Sequence, residues 1–154
     1  MTDALTPSEH AAAITASLKR MVAFVAACSD ENWQARPLRR TGDARPVGVI
    51  ADHVAHAYDY MGDWVREIVA DDEPEVDVAL IDRLNAEHAR QAELVTRDQA
   101  AEHLRRSGTA FAAAIAGLAP SDLQRQNGRV RRFAEIAARH PDTHRSEIEN
   151  ALGR

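Results

Sequence analysis

Apolar residues recur along most of this chain at the three- and four-residue spacing of an amphipathic helix. No stretch alternates between apolar and polar residues in the way that a strand does. Alanine is abundant, and the glycines and prolines stand mostly where the helical spacing is interrupted. The pattern therefore predicts an all-α protein, a four-helix bundle built from four to five helical segments. The expected segments run from about 7 to 29, 46 to 70, 77 to 95, 97 to 118 and 129 to 152.

Local signals refine these segments. Thr6 with Glu9, and Thr96 with Gln99, have the spacing of a capping box at the start of the first and fourth segments. The third and fourth segments could still form one kinked helix. Gly108 and Pro141 are expected to bend the fourth and last segments.

Composition limits the classes of protein to consider. A chain of 154 residues is long enough for one domain, taken as 1–154, with a substantial core. The net charge of −5, without a basic stripe, argues against a nucleic-acid partner. No apolar run reaches the roughly 20 residues of a membrane span, and no signal peptide is evident, so we expect no membrane partner and a cytoplasmic location. The single cysteine, Cys28, excludes an intrachain disulfide framework and is expected to be a small buried residue.

Two of the seven histidines lie one turn apart in the last helix. His140 and His144 fall within the apolar stripe of that helix. Burial of two imidazoles in a core is costly unless their nitrogen atoms are satisfied. A shared metal ion would satisfy both, since side chains at i and i+4 lie on one face. The stripe is marked by Phe133, Ile136, Ala137, Ile148 and Ala151.

The remaining histidines can be sorted by the helix face on which they lie. On the second helix, His53 faces the core and His56 lies at its edge. His88 lies on or near the inner face of the third segment, as a possible ligand or neighbour of a ligand, whereas His10 and His103 are expected at the surface. His53, His140 and His144 thus form a candidate three-imidazole metal site that leaves positions free for water or substrate. The alternative is three core histidines satisfied by hydrogen bonds or water.

Three stretches of the chain resemble the DinB/YfiT-like superfamily: residues 47–57, 82–89 and 140–152. The resemblance implies a four-helix bundle with a divalent metal ion held by three histidines. It places these ligands at His53, in a histidine–apolar–alanine motif, and at His140 and His144, in a His-x-x-x-His motif. Related proteins include mycothiol-dependent maleylpyruvate isomerase and thiol S-transferases of the bacillithiol type. The isomerase branch tends to have glutamate at the position of His140, so this chain looks more like the DinB branch.

The resemblance implies a metal-dependent enzyme that joins a low-molecular-weight thiol to a small electrophile. Zinc or nickel is the expected metal, with iron as a further option, because imidazole suits all three. Glu147 lies one turn beyond His144 and could orient its imidazole or act as a base, or it could pair with Arg145 at the surface. An irregular loop is expected from 33 to 46, and its arginines, which lie within 36–45, could hold the carboxylates of an anionic thiol or could simply be solvated.

Two other functions remain open at this stage. The same metal site could activate water and act as a hydrolase of small molecules. A bundle that binds a partner or a small molecule without catalysis is the third possibility, with the histidines as core residues. A homodimer is plausible for a helical bundle of this size.

Overall fold

The computed structural model describes residues 3–38 and 44–153. These residues form six α-helices and one 3-10 helix, and their β-structure is confined to an isolated bridge between Leu38 and Ala44. The helices are α1 Pro7–Ala27, α2 Asp30–Gln34, α3 Val47–Val69, α4 Val78–Gln91, α5 Arg97–Ala116 and α6 Arg125–Ala151, and the 3-10 helix is Pro120–Gln124.

Four long helices make the bundle. α1 packs against α5 and α6, and α3 packs against the same two helices, so α1 and α3 lie diagonally opposite each other. The predicted all-α four-helix bundle is confirmed. α4 lies outside the bundle against α3, which adds a fifth long helix to the four. Among the described residues, none of the helices combines the length and apolar character that a membrane span needs.

Helix ends follow the local signals in the sequence. The capping boxes of α1 and α5 are both present, with the backbone N–H of Glu9 donating to Thr6 Oγ1 at 3.1 Å and that of Gln99 donating to Thr96 Oγ1 at 3.1 Å. The second of these caps starts a new helix, so α4 and α5 are separate. Their separation allows α4 to leave the bundle and to pack over one side of α3.

The core is densest along α3, where nearly every residue of the first half is buried. Tyr58 of this helix is only 2% exposed and packs near Phe111. Gly108 does not bend α5; instead it permits α5 to lie close to α1, because a Cβ atom there would be 2.7 Å from Leu18 Cδ2. Close approach, rather than flexibility, explains this glycine.

The structure corrects several other expectations. α2 occupies the beginning of the stretch expected to be a loop, and its Trp33 is buried with the indole N–H donating to the Val95 carbonyl at 2.9 Å. Pro141 lies inside α6 without departure from helical backbone angles. Ile136, expected in the apolar stripe of this helix, is 40% exposed. Leu94 is 89% exposed, because it lies beyond the end of α4.

Candidate metal centre

Three histidines converge between α3 and α6. His53 Nε2 lies 3.2 Å from His140 Nε2, and His140 Nε2 lies 2.9 Å from His144 Nε2. The rings are close to mutually perpendicular, with interplanar angles of 72° for His53 and His140, 89° for His53 and His144, and 89° for His140 and His144. One nitrogen from each ring lies within 4.8 Å of the other two. The three imidazole rings that the sequence analysis grouped together therefore lie next to one another in the structure.

Helix geometry produces this convergence. His140 and His144 are four residues apart, so both rings project from one face of α6 toward α3. His53 projects from the first half of α3, which packs against α6 along its length. His53 and His144 are 7% exposed, whereas His140 is only half-buried. The cluster is thus buried on two sides and reachable past His140.

The spacing of the nitrogen atoms fits a metal ion. Zinc bonded to imidazole at about 2.0–2.1 Å in a tetrahedron holds its nitrogen ligands about 3.4 Å apart. Both short contacts involve His140 Nε2. This nitrogen is either a hydrogen-bond donor or an acceptor, depending on whether it carries the proton of the ring. A cation at the centre would engage one lone pair from each of the three rings at once. The residues present could hold a metal ion.

Glu147 lies beside this cluster. Its Oε2 is 4.0 Å from His144 Nδ1, on the side of that ring away from His140, and its side chain is 23% exposed. Arg145, the surface partner considered for Glu147, pairs instead with Asp142 at 3.3 Å and with Glu149 at 3.2 Å. Glu147 also lines a cavity of about 740 Å³ over the outer side of α6. The other lining residues are Leu38, Asp142, Thr143, Ser146, Asn150 and Ala151.

The structure adds a polar network that the sequence did not reveal. Asp52, which precedes His53 on α3, contacts His88 Nε2 of α4 through Oδ2 at 2.7 Å. Its Oδ1 contacts His103 Nδ1 of α5 at 2.9 Å, and His103 Nε2 lies 2.8 Å from Asp59 Oδ2. His103 is thus not a surface residue as expected, because its side chain is only 20% exposed and bridges two carboxylates. The signal in the sequence was a polar stripe at positions 52, 56 and 59 of α3, whose first half is mostly apolar.

These contacts determine the protonation states of Asp52 and His103. Burial by itself raises the pKa of Asp52, but the hydrogen bonds from His103 and His88 outweigh it and bring the pKa to about 2. Hydrogen bonds to Asp52 and Asp59 raise the pKa of His103 to about 9, so it is an imidazolium that donates from both nitrogens at neutral pH. Since Asp52 is ionised, we assign the proton of His88 to Nε2, which donates to this carboxylate.

Two further histidines differ in their surroundings. His56 stacks on His88 with ring centroids 4.7 Å apart and an interplanar angle of 14°, and burial lowers the pKa of His56. His88 packs behind the histidine cluster, with its ring centroid 6.2 Å from that of His53. His10, expected at the surface, is 2% exposed because α1 turns this residue toward the bundle interior.

The two arginines of the arginine-rich stretch that the structure describes, Arg36 and Arg45, have different partners. Arg36 pairs with Glu93 at 2.5 Å, and Arg45 Nη1 donates to the Asn85 carbonyl at 3.5 Å. Arg39 and Arg40 lie outside the described residues. Cys28 is 3% exposed, in agreement with the expectation of a small buried residue.

Comparison with known proteins agrees with this architecture. A family model for the DinB superfamily matches residues 13–148, which include His53, His140 and His144. No curated protein and no solved structure matched the chain. The match covers most of the sequence, and the six described helices fit a helical family. The chain therefore belongs to the DinB superfamily.

Proposed function

We propose that this protein is a metal-dependent enzyme that transfers a low-molecular-weight thiol to a small electrophile. The observation that carries the proposal is the convergence of three nearly perpendicular imidazoles. His140 Nε2 lies 3.2 Å from His53 Nε2 and 2.9 Å from His144 Nε2. In this proposal His53, His140 and His144 are the ligands of a zinc or nickel ion, or of iron. A divalent ion on three neutral imidazoles keeps its full charge and would lower the pKa of a thiol or water at its open side.

The chain's own residues explain why a thiol co-substrate would be needed. Cys28, the single cysteine, is buried at the end of α1, where its carbonyl accepts a hydrogen bond from Arg97. It lies outside the histidine cluster and is not positioned as a nucleophile there. The sulfur atom of the reaction would therefore come from a small molecule that approaches past the half-buried His140.

In the proposed step, the thiol S–H bond gives up its proton and the sulfur forms a bond with an electrophilic carbon. The leaving group departs with the electron pair of the bond that breaks. Glu147 is the residue that we propose to receive the proton or to orient His144, since its Oε2 lies 4.0 Å from His144 Nδ1. A carboxylate that is 23% exposed can exchange that proton with solvent afterwards.

Metal content is the first test of this proposal. Protein purified without a histidine tag or chelator is expected to contain close to one metal ion per chain by elemental analysis. His144→Ala should reduce that content at least tenfold, because two imidazoles remain. His10→Gln is the matched control, since it replaces another buried histidine that lies away from the cluster. Arg20 of α1 pairs with Asp142, which stands between His140 and His144 in α6, and His10 lies about 15 Å further along α1. Less than about 0.1 ion per chain would instead favour the non-catalytic bundle.

Thiol dependence is the second test. Turnover of 1-chloro-2,4-dinitrobenzene or monochlorobimane is expected only with added thiol, and it should be lost in His144→Ala and retained in His10→Gln. Cleavage of p-nitrophenyl acetate that does not depend on thiol, by the metal-loaded protein alone, would contradict the transferase and favour the hydrolase. A homodimer stays a prediction, which light scattering of the purified protein tests.

A further inference from the structure

One carboxylate joins three helices directly next to a proposed metal ligand. Asp52 of α3 accepts a hydrogen bond from His88 of α4 at 2.7 Å and one from His103 of α5 at 2.9 Å. The next residue along α3 is His53, which contributes the only ligand of this helix to the histidine cluster. Asp52 is 6% exposed, so both hydrogen bonds are largely shielded from water.

The second carboxylate makes this junction rigid. His103 is held from both sides, by Asp52 at 2.9 Å and by Asp59 at 2.8 Å, two turns further along α3. A ring that is bonded through both nitrogens cannot rotate without losing a bond to an ionised group. The face of α3 that carries Asp52 and Asp59 is therefore fixed to α5, while His88 fixes it to α4.

The rotation of α3 decides where the ring of His53 points. Consecutive residues are about 100° apart around a helix, so Asp52 faces α4 and α5 while His53 faces α6. A side-chain atom about 6 Å from the helix axis moves by about 1 Å when the helix rotates by 10°. Metal–ligand distances tolerate a change of only about 0.2 Å. A small rotation of α3 would therefore take His53 out of bonding range.

We propose that Asp52 is a positioning residue, which through its hydrogen bonds to His88 and His103 fixes the rotation of α3 and so the placement of the metal ligand His53. Asp52 is not itself a ligand, because both of its carboxylate oxygens are engaged by imidazoles. The inference rests on the metal site of the proposed function, but not on the reaction carried out there.

Binding of Co²⁺ to the purified protein tests this inference, because the visible bands of Co²⁺ report the geometry of its ligands. Asp52→Asn keeps the shape of the side chain but removes its charge and replaces one of its two acceptor oxygens by an NH2 donor, which then faces the N–H of either His88 or His103. We expect this variant to bind Co²⁺ 10- to 100-fold more weakly than the unmodified protein, with shifted bands. Asp63→Asn is the matched control, since it makes the same change on α3 at an exposed carboxylate that pairs with Arg66.

A purely structural role gives a different result. In that case Asp52→Asn lowers the urea midpoint of the metal-free protein, but its folded fraction binds Co²⁺ with an affinity within twofold of that of Asp63→Asn and with unshifted bands. This result would overturn the inference. If Asp52→Asn does not fold, His103→Gln decides by the same criteria, with an expected loss of about tenfold.

The two proposals fail in different ways. If the unmodified protein binds Co²⁺ but shows no thiol-dependent turnover, the proposed transferase is wrong, and the Asp52 variants still decide the positioning role by affinity and spectrum. If the unmodified protein binds no Co²⁺, both the proposed function and the positioning role are overturned.

Discussion

His103 should give this protein a pH-dependent stability that one substitution removes. The ring donates to two carboxylates in the folded protein, which raises its pKa from 6.5 to about 9. Between these two values the folded protein holds one proton more than the unfolded chain, so its free energy of unfolding falls as the pH rises. The stabilisation is complete below pH 6.5 and is lost as the pH passes through about 9.

The structure sets the size of the effect. A fall of about 1.4 kcal/mol per pH unit over this interval gives an upper limit of about 3 kcal/mol. Solvent screens part of it, because the His103 side chain is 20% exposed and that of Asp59 is 48% exposed. We therefore expect the free energy of unfolding to decrease by about 2 kcal/mol between pH 6.5 and pH 9.

Ionisation of the Cys28 thiol in the unfolded chain also falls in this interval, so the contribution of His103 is taken from the difference between the unmodified protein and His103→Gln. Burial raises the pKa of both tyrosines, that of Tyr60 to about 12, and the sequence contains one lysine, Lys19. Burial lowers the pKa of His56, which therefore acts below pH 6.5 and with the opposite sign. Metal-free protein in a chelator keeps metal binding out of the measurement.

Urea unfolding followed by circular dichroism at pH 6.5 and pH 9 measures the difference. His103→Gln cannot carry a proton, so we expect its free energy of unfolding to fall by about 2 kcal/mol less than that of the unmodified protein between the two pH values. Asp59→Asn removes one of the two charged acceptors and should give an intermediate decrease. The reasoning is refuted if His103→Gln retains the full decrease of the unmodified protein, or if the unmodified protein shows none.

Three further predictions concern packing and the site. Gly108→Ala should lower the free energy of unfolding by about 1–3 kcal/mol in urea titrations, because its Cβ would lie 2.7 Å from Leu18 Cδ2. At Gly117 the nearest atom to such a Cβ is 3.5 Å away, so Gly117→Ala should lower the free energy of unfolding by less than half as much. Glu147→Gln should weaken Zn²⁺ binding about tenfold in a competition assay, since the amide no longer stabilises the His144 ring through charge; unchanged affinity would show that Glu147 does not orient this ring. Free Zn²⁺ at 100 times its dissociation constant should raise the free energy of unfolding by about 2.7 kcal/mol, and an equal gain in His144→Ala would place the ion elsewhere.

The sequence by itself determined the elements and the main ligand candidates. Helical spacing of apolar residues and two capping boxes are local signals, so the long helices and the starts of α1 and α5 could be predicted from them. His140 and His144 share one helix, and their i, i+4 spacing fixes their relation whatever the rest of the chain does. His53 could be added to the candidate ligands because it lies on the core-facing side of its helix.

Tertiary structure decided which residues from different helices meet. His103 was expected in solvent because its neighbours in sequence are polar, yet packing of α5 against α3 brings it to Asp52 and Asp59. Leu94 shows the converse, since an apolar residue stays exposed where α4 ends outside the bundle. Periodicity describes the faces of a single helix, whereas contacts between helices depend on their order and rotation in the bundle, which are global properties of the packed chain.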